Sequence, residues 1–129
     1  MNIDDYILQL ESGLHKTSII ASYNLAVDRK TNEIVFLSGK IEFRDGSYLD
    51  FKEFVEATEF AIEKYKYASN YRKSAETFFR YDNAPDPRAV DLKSFPDHKH
   101  RKDDELVESY KVTLFDILEE IERMYLQAL

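Results

Sequence analysis

The sequence predicts an α+β fold: an antiparallel meander of five or six strands, with a short N-terminal helix and a C-terminal amphipathic helix packed on one face. Three observations carry this. Residues 17–44 form two long runs of alternating side chains around a polar connector. Asp45-Gly46 then reverses the chain, since both residues tolerate positive φ. Leu114, Ile117, Leu118, Ile121 and Tyr125 recur at i, i+3, i+4 spacing, which gives a helix one apolar stripe.

The elements follow in order. Asp4 or Asp5 suits the cap of a helix to about Ser12, with Ile7, Leu10 and Leu14 on one side and Gly13 as its stop. In Thr17–Asp28, Ile19, Ala21, Tyr23, Leu25 and Val27 share a face. In Glu33–Arg44, Val35, Leu37, Gly39, Ile41 and Phe43 do the same, and Arg29–Asn32 connects the two strands. Ser47–Phe51 is a third strand. The stretch Lys52–Ile62 fits either a short helix or irregular structure. Glu63–Arg72 places Tyr65, Tyr67, Ser69 and Tyr71 on one face, and Thr77–Asp82 reads as its hairpin partner. Pro85 and Pro87 forbid a central strand after it. Glu105–Val112 supplies a further strand, and Thr113 with Asp116 forms a capping box for a helix to about Gln127. No repeat or low-complexity linker interrupts the chain, so residues 1–129 are expected to form one domain.

Composition narrows the function classes. At 129 residues and 43% apolar content, the chain can bury one substantial core. It has no cysteine, which excludes disulfides and thiolate chemistry. The start MNIDDYILQL lacks the basic residues and unbroken apolar core of a signal peptide, and no apolar run reaches the ~18 residues of a membrane span. A soluble cytoplasmic protein without membrane contact is the expectation. The net charge of −7 argues against a general nucleic-acid-binding protein. Yet residues 80–102 carry 6 basic against 4 acidic side chains, the only positive stretch, with two of the three histidines and all three prolines. A local positive site on an acidic body suits a phosphate-bearing substrate, because screening weakens distant charge. No phosphate loop, dinucleotide fingerprint, G-x-S-x-G elbow or H-E-x-x-H is present.

Two constellations lie in that stretch. Arg80 and Asp82, two apart on a strand, leave one face together while Tyr81 leaves the other. They read either as an exposed ion pair or as a guanidinium held ready for an oxyanion. His98-Lys99-His100, if extended, places both imidazoles on one side and Lys99 opposite. The pair could titrate as acid and base, ligate a metal with help from Asp82, Asp86 or Asp97, or lie solvated on the surface. No cofactor and no metal are expected. His15 reads as structural. The tyrosine stripe Tyr65/Tyr67/Tyr71 reads as core packing before base stacking. The final helix is acidic on its outer face, a solvated surface or a dock for a basic partner.

RYDNAP at Arg80–Pro85, a short gap, SFPDHKH at Ser94–His100 and a final helix of the LFDILEEI type together resemble the TumE family. These are small prokaryotic proteins regarded as the toxin half of toxin–antitoxin pairs. The similarity extends to Asp45–Phe51 and Tyr65–Tyr67, and so covers the chain from about Ile34 onward. Its matching positions are Arg80, Tyr81, Asp82 and Asn83, then Phe95, Pro96, His98, Lys99 and His100. Where the family pattern often has two further histidines, this chain has Asp86 and Asp97, so a four-imidazole site is not available.

The resemblance implies a toxin with a cognate antitoxin. The expected reaction is metal-independent endoribonuclease cleavage, in which His98 and His100 act as base and acid. Arg80, Lys99 and Arg101 would meet the charged transition state, Asp82 would orient Arg80 or a histidine, and Tyr81 and Asn83 would contact substrate. The alternatives are a non-catalytic module that binds a helix-turn-helix antitoxin, and metal-dependent phosphoester hydrolysis at His98, His100, Asp82 and Asp97. A homodimer stays open.

Overall fold

The computed structural model describes residues 1–129. Helix α1 (Ile3–Lys16) is followed by strands β1 (Ile20–Arg29), β2 (Ile34–Phe43), β3 (Tyr48–Ala57), β4 (Ile62–Lys73) and β5 (Glu76–Asp82). A 3-10 turn at Pro87–Ala89 leads to β6 (His98–His100) and β7 (Leu106–Glu108), and helix α2 (Leu114–Gln127) ends the chain. Every strand pairs with its sequence neighbour, so the sheet is an antiparallel meander in the order β1 to β7. The α+β fold is as the sequence predicts, with seven strands in place of five or six.

The differences have local causes. Asn2, not Asp4 or Asp5, caps α1: its side chain accepts from the Asp5 amide, and Asp5 returns a bond to the Asn2 amide. The helix runs past Gly13 to Lys16, because Leu14 is a core residue and the Phe115 ring of α2 packs against the bare Cα of Gly13. The ambiguous stretch Lys52–Ile62 is the second half of β3 and a turn, closed where the Thr58 amide donates to Ala61 over 2.8 Å. Gly46, at φ 87, makes the β2–β3 reversal as expected.

Both helices cover one face of the sheet. Ile3, Leu10 and Leu14 of α1, with Leu114, Ile117, Leu118 and Ile121 of α2, join one core with Val35, Leu37, Ile41, Leu49, Phe51 and Val55. Burying such side chains contributes roughly 1.5–3 kcal/mol each and sets the strand register, since a one-residue slip would turn them to water. A bulge alters the expected stripe on β4. Phe54 faces Lys66 but Val55 faces Lys64, so Tyr65 is the extra residue and turns to the opposite face from Tyr67 and Tyr71. The other sheet face carries no helix. Neither helix is long and apolar enough to cross a membrane.

Candidate functional site

β6 adds to β5 with Arg80 opposite His100, Tyr81 opposite Lys99 and Asp82 opposite His98. Strand alternation therefore sends Arg80, Asp82, His98 and His100 to the uncovered face, and Tyr81 and Lys99 toward α2. The His-Lys-His run is extended and is itself a strand, with both imidazoles on one side and Lys99 on the other. Its place in the sheet gives its side chains fixed directions.

Asp82 is the centre of the arrangement, and it is buried. Its Oδ2 accepts from Arg80 Nε at 2.8 Å and lies 3.3 Å from His100 Nε2. Its Oδ1 accepts from the Ala84 amide at 3.0 Å and lies 3.1 Å from His98 Nε2. The two Nε2 atoms are 3.1 Å apart. His98 has 0% of its surface exposed, and its Nδ1 donates to the Pro96 carbonyl at 2.7 Å, after a cis Phe95–Pro96 peptide. His100 Nδ1 lies 3.1 Å from Asp104 Oδ1.

Asp104 reaches His100 from the β6–β7 turn, where its φ of 64° is one that aspartate tolerates better than most residues. Arg88 bridges Asp86 and Asp104, each at 3.1 Å. Its hydrogen bonds hold both carboxyls below the usual range, with His100 adding to the effect at Asp104. An open pocket of about 520 Å³ lies above, with Arg80, Asp82, His100 and Lys102 in its wall.

Four of the eight sequence-predicted site residues thus converge: Arg80, Asp82, His98 and His100. Arg101 lines the pocket mouth and is solvent-exposed. Tyr81 and Lys99, expected to meet the substrate, lie outside the pocket lining. The Tyr81 hydroxyl donates to Glu120 of α2, and Lys99 Nζ pairs with the same carboxylate at 2.8 Å. Burial first, then Glu120, pushes the Tyr81 phenol well above its ordinary value, so it stays a neutral donor. Asn83 braces β4: its Oδ1 accepts from the Tyr67 amide and its Nδ2 donates to the Tyr65 carbonyl. Of the two departures from the family pattern, Asp86 caps the 3-10 turn through the Arg88 amide. Asp97 accepts from the Tyr67 hydroxyl at 2.8 Å, away from the imidazole pair.

An in-line displacement needs its base and its acid on opposite sides of the phosphorus. Here the two Nε2 atoms face one another, and His98 has no exposed surface.

Sequence reasoning missed two features. One is Asp104, whose partner is set by the turn. The other is an aromatic ladder across the uncovered face: Phe36 and Phe54 have ring centroids 6.2 Å apart, and Tyr65 follows at 5.0 Å. Lys30, Lys52, Lys66 and Arg80 line the same groove as Phe36 and Phe54. The signal was present in the strands, because Phe36 and Phe54 are apolar residues on the face opposite Val35 and Val55.

Comparison with known proteins gives one finding. No curated protein and no solved structure matches the chain. A family model described as Toxin TumE matches residues 10–125, from inside α1 through every strand into α2. That span contains Arg80, Asp82, His98 and His100, and it covers most of the chain. The chain therefore belongs to the TumE toxin family, a toxin component whose counterpart is an antitoxin.

Proposed function

We propose that this toxin component cleaves RNA, binding a single strand along the uncovered sheet face and breaking a phosphodiester at the Asp82 pocket. One observation carries the reading: a buried carboxylate gathers a guanidinium and two imidazoles at the end of a groove that is both basic and aromatic. A groove with lysines for the phosphates and flat rings for unstacked bases is how proteins hold single-stranded RNA. Phe36, Phe54 and Tyr65 supply the rings, and Lys52 and Lys66 the charge. Lys30, Lys52, Lys66 and Arg80 against Glu53 and Asp82 make this groove locally positive on a chain of net charge −7.

Arg80 and Lys102 would hold the scissile phosphate, and the Asp82–His98–His100 cluster would activate the attacking oxygen. In the reaction, the 2′-hydroxyl passes its proton to the Asp82–His98–His100 cluster as its oxygen bonds to phosphorus. The bond from phosphorus to the 5′-oxygen breaks, and that oxygen takes a proton from water in the open pocket. The antitoxin is read as a helix-turn-helix protein, with the acidic outer side of α2 (Glu119 and Glu122) as its dock. β1 leaves an unpaired edge through which a homodimer would form by strand addition; a single monomer mass in solution would remove that possibility.

The test is cleavage of a mixed-sequence RNA by the purified toxin, beside Arg80→Ala, with growth arrest measured for both. Cleavage that falls at least tenfold in Arg80→Ala, together with loss of arrest, supports the reading. Growth arrest with RNA left intact sinks it and favours a non-catalytic binding module.

A further inference from the structure

We propose that Asp82, His98 and His100 hold a divalent transition-metal ion on the uncovered face of the sheet. The partners of the two Nδ1 atoms fix where the ring hydrogens are. His98 Nδ1 lies 2.7 Å from the Pro96 carbonyl oxygen, a group that only accepts. His100 Nδ1 lies 3.1 Å from the Asp104 carboxylate. Both Nδ1 atoms therefore carry the hydrogen, and in the neutral rings both Nε2 atoms present lone pairs. Those lone pairs face one another at 3.1 Å, and they face the two Asp82 oxygens at 3.1 and 3.3 Å. Electron-pair donors from three side chains converge with no hydrogen of their own to share, an arrangement that is costly until a cation enters.

The spacing is that of a metal's ligands. Bonds of about 2.0–2.2 Å to imidazole nitrogen and carboxylate oxygen put neighbouring ligand atoms roughly 3.0–3.4 Å apart in tetrahedral or octahedral coordination. The groups behind the ligands fit as well. Metal-binding imidazoles commonly donate their second N–H to a carbonyl or a carboxylate, and His98 and His100 do one each. Arg80 and the Ala84 amide fix the Asp82 carboxylate, and Arg88 holds Asp104 in place.

Two imidazoles and one carboxylate favour zinc, manganese or iron(II) over calcium and magnesium, which take oxygen ligands. His98 closes the floor of the site, while the side toward Arg80 and Lys102 opens into the pocket. A divalent ion held there supplies a Lewis acid for a phosphoryl oxygen. Binding itself does not depend on the RNA reading, since it is a property of the protein alone.

The experiment is calorimetric titration of the full chain, stripped with chelator, with Zn²⁺ and with Mn²⁺. One ion bound per chain is expected, with affinity at least tenfold weaker in His100→Ala and in Asp82→Asn. His15→Ala, which removes the remaining histidine beside Tyr23, binds as the wild type does. Because His98 is buried, His98→Gln is read only where circular dichroism shows the native fold. As a second measurement, the ¹⁵N resonances of both Nε2 atoms shift on adding Zn²⁺. Stoichiometry near zero overturns the proposal, as does His100→Ala binding at wild-type affinity. So does an Nε2 proton that persists in excess metal, which would make the occupant a proton. Metal bound at one per chain without RNA cleavage leaves this site standing and overturns the RNA reading alone.

Discussion

His98 and Asp82 face each other across the β5–β6 ladder, with Nε2 3.1 Å from Oδ1 and both side chains buried. The Asp82 carboxylate also accepts from Arg80 Nε and from the Ala84 amide, and removing such an acceptor leaves donors unmet at a cost of about 1–3 kcal/mol. Asp82→Ala strands the Arg80 guanidinium and the Ala84 amide together. It should lower stability by about 2 kcal/mol, read as an earlier urea midpoint with an unchanged slope. Asp82→Asn keeps the volume and one acceptor, so it should lose about half as much. If the two variants unfold at the wild-type midpoint, Asp82 is not the anchor described here.

Lys99 and Arg80 sit one strand apart, both basic, on opposite faces of the sheet. Lys99 pairs with Glu120 and lies 5.1 Å over the Phe79 ring and 5.0 Å over the Tyr81 ring. Arg80 lies beside Asp82 in the pocket. Lys99→Ala should therefore cost about 1–2 kcal/mol of stability through lost cation–π and ion-pair contacts, with RNA cleavage within twofold of wild type at a temperature where both are folded. Arg80→Ala should show the reverse balance. Thermal melts alongside cleavage rates separate the two, and a Lys99→Ala variant that is folded but inactive would put Lys99 back in the site.

The extent to which the site was legible follows from these same residues. Alternation identified Arg80 and Asp82 as a pair on one face and, once an extended chain is supposed, His98 and His100 as another, because side-chain period in a strand is a local property. What brings the pairs together is the register of β6 on β5, a contact between segments joined by a proline-containing loop whose path no periodicity encodes. Three-residue strands such as β6 and β7 carry too few residues to show a period at all. Tyr65 was misplaced for a related reason, since the bulge at Phe54/Val55 depends on how β3 and β4 pair. Asp86 and Asp97 could be flagged as departures from a family pattern, but their partners, Arg88 and Tyr67, come from the fold.

The aromatic ladder gives a prediction about affinity in place of chemistry. Stacking of one base on an aromatic ring contributes about 1–3 kcal/mol, which is roughly 5- to 150-fold in binding. Phe54→Ala sits in the middle of the ladder and should weaken a short single-stranded RNA by that range in fluorescence anisotropy. Phe54→Tyr should bind nearly as well as wild type, since a flat ring remains. Equal affinity for all three proteins would mean that bases do not lie on this face.

Gly39 ties the sheet's geometry to its sequence. It sits mid-strand in β2, opposite Leu25 of β1 and Phe51 of β3, where a glycine normally weakens a strand. A Cβ there would lie 2.5 Å from the Asn24 carbonyl oxygen and 2.7 Å from the Phe51 ring. The first of these is backbone, so the neighbouring strand would have to move. Gly39→Ala should destabilise by about 1–3 kcal/mol, the usual cost of overpacking, despite the entropy it removes from the unfolded chain. Pairing it with Phe51→Leu, which trims the ring but not the carbonyl contact, should recover only part of that loss. Full recovery in the double variant would show that the ring alone sets the limit, and that β1 can yield at Asn24.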